Sequence, residues 1–177
     1  CGPHLPDYGP LDWIETTERF GAVVIGARNI LVAYNVNVDE KDAKVSRKAG
    51  SLVRSTGRLL KKEDGRKTRV PGMLDMVQGM GLPLEAQGIS QVSMNLRDVN
   101  VTPMHIAFEA VREIVNDHGV ETCGSELVGL VPLSAMLESG EWYAHKDCKD
   151  EKELVQAAID GLGLDYLAPF DSNVRII

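Results

Sequence analysis

ISQVSMNLRDVNVTPMHIAFEA, residues 89–110, changes its hydrophobic period part-way along. Ile89, Val92 and Met94 alternate imperfectly with Ser90, Ser93 and Asn95, as in a half-buried strand. From Thr102-Pro103 onward the apolar spacing becomes helical, with a hydroxyl placed to cap and a proline at the first helical position. This puts His105 in the first turn of a helix that runs over 102–117 and stops at Gly119.

Upstream, Met73 to Leu84 reads as a second strand, joined to Ile89–Arg97 through Gln87-Gly88 as a hairpin. Ala22 to Ile25 and Ile30 to Val38 are β-branched and read as a strand, or a bent pair of strands, around Gly26. In the second of these, Val32, Tyr34, Val36 and Val38 oppose Ala33, Asn35 and Asn37. Asp39 then stands where a cap is needed for a helix over 40–56, which carries Ala43, Val45, Ala49, Leu52 and Val53 on one face and stops at Gly57. RLLKKEDGRKTR, residues 58–69, reads as a basic loop turning at Asp64-Gly65. Downstream, a strand over 120–130 ends at Pro132, and shorter helices follow over 133–139 and 150–161. The order β-α-β-β-α-β predicts an α/β (α+β) fold, a ferredoxin-like split βαβ sheet with helices mainly on one face. Such a sheet leaves one face or edge for another domain or subunit to cover. The opening stretch, with three prolines and two glycines in its first ten residues, reads as a linker over 1–21 ahead of a domain over 22–177.

Composition narrows the function. The chain has 177 residues, 44% hydrophobic and 25% charged, enough for one sizeable core. A net charge of -7 argues against a nucleic-acid partner. No apolar run approaches the roughly 20 residues of a membrane span, and no signal-peptide pattern is present. Cysteines at 1, 123 and 148 lack CxxC spacing and fit reduced thiols in a cytoplasmic protein. The chain starts Cys1-Gly2-Pro3 without an initiator methionine, which reads as a piece of a longer polypeptide. Residues 41–69 hold eleven Lys/Arg against three Asp/Glu, so a basic segment sits on an acidic body. Such a segment suits a small anion, and equally a solvated helix face and loop.

His105 is the candidate acid–base group, because its side chain titrates near neutrality and a helix N-terminus disfavours its charged form; the competing reading is a structural histidine. His4 lies in the opening loop, His118 at a helix end and His145 in a charged connection. His145 with Cys148, and His118 with Cys123, lack the tight pairs common in zinc sites, so no metal is expected. Gly79-Met-Gly81 falls inside a strand and lacks the third glycine and following helix of a dinucleotide fingerprint. The acidic run Asp147–Glu153 reads as a solvated face.

Together with GARNILVAYNVNV (26–38) and GSELVGLVPL (124–133), residues 89–110 resemble the glutamate formiminotransferase family, specifically the C-terminal half of its formiminotransferase domain. The resemblance implies transfer of a formimino group from N-formimino-L-glutamate to tetrahydrofolate as co-substrate, in histidine degradation. It implies an N-terminal formiminotransferase subdomain as partner, the folate site in the cleft between the halves, and a homo-oligomer. It also carries over a binding motif, Gly2, Pro3 and His4 in the opening loop, then Gly21-Ala22 and Gly26-Ala27-Arg28. In that motif small residues let the backbone approach a flat pteridine, and Arg28 forks a carboxylate. The family's base belongs to the N-terminal subdomain, so this half alone is expected to be inactive. Lys61, Lys62, Arg66 and Lys67 would follow the carboxylates of a polyglutamate tail. The alternative is a non-catalytic ferredoxin-like module that binds a small anion or dimerises.

Overall fold

The computed structural model describes residues 5–12, 14–145 and 148–177. Four strands form an antiparallel sheet: β1 (Val32–Val38), β4 (Val77–Leu84), β5 (Ile89–Leu96) and β6 (Thr122–Val128), in the order β4-β5-β1-β6. Helix α2 (Lys44–Val53) connects β1 to β4, and α3 (Met104–Asn116) connects β5 to β6. This is the split βαβ arrangement expected of the sequence. Helices α4 (Leu133–Tyr143) and α5 (Glu151–Leu162) pack against each other, and two short helices, α1 (Glu15–Phe20) and α6 (Ser172–Arg175), lie towards the ends.

The core lies between the sheet and the helices. Val32, Tyr34, Val36 and Val38 of β1 and Val92, Met94 and Leu96 of β5 point into it, where Met104, Ala107, Val111 and Val115 of α3 meet them. Helix α2 sits on β4 with no room to spare. A Cβ on Gly50 would lie 2.6 Å from the Met80 carbonyl carbon, one on Gly79 3.1 Å from the Gly50 oxygen, and one on Gly81 inside the Ser46–Arg47 backbone. Glycines that the sequence excludes as a nucleotide loop are therefore contact points between helix and sheet.

Several element boundaries differ from expectation for local reasons. The stretch 22–25 forms no strand: Val23, Val24 and Ile25 are 82, 97 and 91% exposed, with no sheet beside them among the described residues. Asp39 does not cap α2: its N–H donates to the Glu121 carbonyl at 2.9 Å, prolonging the β1–β6 pairing, and the helix starts only at Lys44, with Ala43 as its N-cap residue. Glu40 takes that role, its carboxylate accepting the Val45 N–H at 2.9 and 3.0 Å and the Ser46 N–H at 3.3 Å. Thr102 does not cap α3 either. Its hydroxyl donates to the Asp75 carbonyl at 2.7 Å, tying the helix entry to the approach to β4, and Pro103 becomes the N-cap residue. The basic loop is a β-hairpin, β2 (Arg58–Lys61) and β3 (Lys67–Val70), turning at Asp64-Gly65 as expected. Within β5 the faces are exchanged at the first two positions. Ser90 pairs with Val38 and is fully buried on the helix side, where its hydroxyl meets that of Ser46, whereas Ile89 points the other way. Helix α4 runs past 139 to Tyr143, while α5 starts behind Asp150, whose carboxylate accepts the N–H groups of Lys152 and Glu153.

Candidate functional site

The helices cover one face of the sheet. The strand register puts Ala33, Asn35 and Asn37 of β1 on the other, beside Gln91, Ser93 and Asn95 of β5, Gln78 and Met80 of β4, and Glu126 and Val128 of β6. No Lys or Arg stands among these positions. Asparagine is unfavourable in strands, and two of them two residues apart amid valines give β1 a polar face that its own packing does not require.

Four of these side chains form a network. Asn35 lies opposite Glu126, and Asn37 lies opposite Gln91. Gln91 reaches across β1, its Nε2 donating to the Asn37 Oδ1 at 2.8 Å and to the Glu126 Oε2 at 3.0 Å. Asn35 Nδ2 donates to the same Glu126 oxygen at 3.3 Å. These side chains lie over β1, and Asn37 is wholly buried and Gln91 nearly so on this face. Asn37 Nδ2 has no hydrogen-bond partner among the described residues, an unmet donor in a buried site. None of the ion pairs among the described residues involves Glu126.

His105 lies on the opposite side of the sheet, in the seam between α3 and α4. It is 6% exposed and stacks on Trp142, with ring centroids 5.1 Å apart. Burial holds its pKa below the ordinary histidine value, against a weaker upward pull from Glu109. Beside it, Tyr143 donates to Glu109 Oε1 at 2.8 Å, and Glu109 also pairs with Arg112. This cluster lies away from the amide network, and His105 Nδ1, like Asn37 Nδ2, has no hydrogen-bond partner among the described residues.

Gly2, Pro3 and His4 fall outside the described residues. Gly21, Ala22, Gly26 and Arg28 lie along an exposed, extended run ahead of the core, where Arg28 donates to the neighbouring Asn29 carbonyl at 3.2 Å. Asn29 in turn donates to Asp98 at 3.1 Å, fastening the run to the loop after β5. Lys61, Lys62, Arg66 and Lys67 crowd the tip of the β2–β3 hairpin, with Lys61 directly opposite Lys67 and Arg66 3.6 Å from Asp64. His118 bonds Lys48 at 2.6 Å and the Ile114 carbonyl at 2.8 Å, while Cys148 donates to Glu153. Among the described residues no three potential ligands gather around one point. A groove of about 1000 Å³ between α3, β6 and α5 is lined by Arg112, Asn116, Cys123, Asp160 and Tyr166; it holds none of the residues singled out for binding.

Residues 33–177 match the family described as the formiminotransferase domain. The chain is 38% identical over 176 residues to the formimidoyltransferase-cyclodeaminase of Mus musculus, covering 98% of this chain and 30% of that protein. It is 37% identical over 175 residues to the Dictyostelium discoideum protein of the same name, with coverage of 97% and 30%. The glutamate formimidoyltransferase of Thermoplasma acidophilum is 31% identical over 155 residues, covering 88% of this chain and 45% of that protein. The chain thus spans under a third of the length of the longer relatives and under half of the shorter one.

Proposed function

The chain belongs to the formiminotransferase domain family, and from that premise we propose that it forms one half of a glutamate formimidoyltransferase site. The enzyme moves the formimino group of N-formimino-L-glutamate to N5 of tetrahydrofolate. The observation that carries this reading is the row Asn35, Asn37, Gln91 and Glu126 on a sheet face without helices. Buried amides with an unmet donor suit a planar, hydrogen-bonding ligand that a second subdomain closes in.

The reaction requires three things of such a site. The N5 amine and the formimino carbon must be held in contact, the tetrahedral intermediate must be stabilised, and a proton must leave N5 while glutamate nitrogen gains one. This half supplies binding and orientation. An N-terminal subdomain supplies the base, since His105 is buried on the wrong side of the sheet for the work. The exposed Val23, Val24 and Ile25 pack against that subdomain, which brings Gly21, Ala22, Gly26 and Arg28 to the cleft. There Arg28 forks a carboxylate of glutamate or folate. The hairpin lysines follow a polyglutamate tail. Cysteines without paired spacing favour a reducing, cytoplasmic setting.

The test is turnover with N-formimino-L-glutamate and tetrahydrofolate. The full polypeptide that carries this chain is expected to form 5-formiminotetrahydrofolate, and residues 1–177 alone none. Turnover by residues 1–177 alone would remove the need for a second half. No transfer by the full polypeptide returns the chain to an anion-binding or dimerising module.

A further inference from the structure

Resting on the formimino-transfer reading, we infer that Glu126 is the specificity-determining carboxylate that receives the donor's formimidoyl group. Three observations on the open sheet face converge on it. Glu126 is the single formally charged side chain among the facing positions of β1, β4, β5 and β6, and the ion pairs of the described residues leave it without a cation. Its Oε2 is held by two amide N–H groups, from Gln91 at 3.0 Å and Asn35 at 3.3 Å, which fixes the carboxylate plane and leaves Oε1 to accept from a ligand. Asn37 offers an unmet N–H from within the same network.

A carboxylate oriented by neutral amides, half-buried and without a counter-ion, is a receptor for a cation. Of the groups in the reaction, the formimidoyl nitrogen pair is the cation: as an amidinium it presents planar N–H donors in the geometry that a guanidinium offers a carboxylate. The carboxylates of glutamate are repelled from the same spot. They belong near the basic residues elsewhere in the chain. Glu126 therefore separates a formimino donor from its formyl analogue, which has the same shape and no charge.

The experiment compares Glu126→Gln with the wild type, in the full polypeptide, by calorimetric binding of N-formimino-L-glutamate, N-formyl-L-glutamate and tetrahydrofolate. Glutamine keeps the shape and an acceptor oxygen for Gln91 and Asn35. Affinity for the formimino donor is expected to fall about 10- to 100-fold, the worth of a charge-assisted hydrogen bond, with formyl-donor and folate affinities unchanged. Equal losses for both donors, or none, overturn the assignment and leave the function standing. A loss confined to tetrahydrofolate overturns it in favour of the pterin edge. Wild-type protein that binds neither donor overturns the transferase reading and the assignment together. Should Glu126→Gln not fold, Glu126→Asp provides the same comparison. It keeps the charge but is too short to meet Gln91 across β1, and it is expected to lose donor discrimination in part; full discrimination overturns the assignment.

Discussion

Gln91 of β5 and Glu126 of β6 are hydrogen-bonded at 3.0 Å although their strands do not touch, because both side chains arch over β1, which lies between them. The bridge joins the second strand of a hairpin to a strand that follows a whole helix. Gln91→Leu removes the donor to both Asn37 and Glu126, leaving the buried Asn37 Oδ1 without that partner while Glu126 Oε2 keeps the Asn35 N–H. A loss of about 1–3 kcal/mol is expected, the cost of a buried polar group left unpaired. Urea unfolding measures it, and a change under roughly 0.5 kcal/mol would mean that water replaces the bridge freely.

Gly81 is a packing position. A methyl group there overlaps the Ser46–Arg47 backbone and pushes α2 off β4. Gly81→Ala is expected to cost about 1–3 kcal/mol or more. Gly26→Ala meets nothing within 4 Å and should stay within about 0.5 kcal/mol of wild type. Thermal melting of the two variants side by side separates close packing from a general intolerance of glycine replacement.

His105 gives the fold an acid-side weakness. Burial lowers its folded-state pKa below the model-peptide value of 6.5, so below that value the unfolded chain binds the proton more readily. Its contribution is complete above pH 6.5 and is lost as pH falls through the lowered folded-state pKa. His105→Phe keeps the stack on Trp142 and cannot titrate. Its unfolding free energy is expected to decline less than wild type between pH 7.5 and 5. Parallel pH profiles would show that His105 takes no part in the decline.

The hairpin tip carries like charges face to face at Lys61 and Lys67, an arrangement that costs stability unless an anion joins it. Neutralising Lys61, Lys62, Arg66 and Lys67 together in the full polypeptide is expected to weaken polyglutamylated folate more than monoglutamate. The contacts are exposed and screened over about 8 Å at physiological salt, so raised salt should erase the difference. Equal effects on the two folates would make the tip a solvated turn. Folding itself should be unimpaired, since the change relieves repulsion.

What the sequence determined by itself is the order of the four sheet strands and their helices from Val32 to Leu162, the β2–β3 hairpin excepted, and with it the split βαβ topology. Periodicity is local, and the turns at Gly65, Gly88 and Gly119 are dictated by backbone conformations that glycine adopts without strain. The alternation in VAYNVNV also marked Asn35 and Asn37 as one face. Long-range partners decided the rest. Thr102 has a good capping side chain, yet the Asp75 carbonyl, distant in sequence, engages its hydroxyl, and Asp39 is drawn by its backbone N–H into the pairing with Glu121, well ahead of α2. Ser90 shares the two-residue period of Val92, Met94 and Leu96 and so faces the helices, where Ser46 on α2 meets its hydroxyl. Gln91 and Glu126 are ordinary polar residues in their own strands. They became a site when the order β5-β1-β6 set them either side of two asparagines, a juxtaposition that arises only when separate stretches of chain pair.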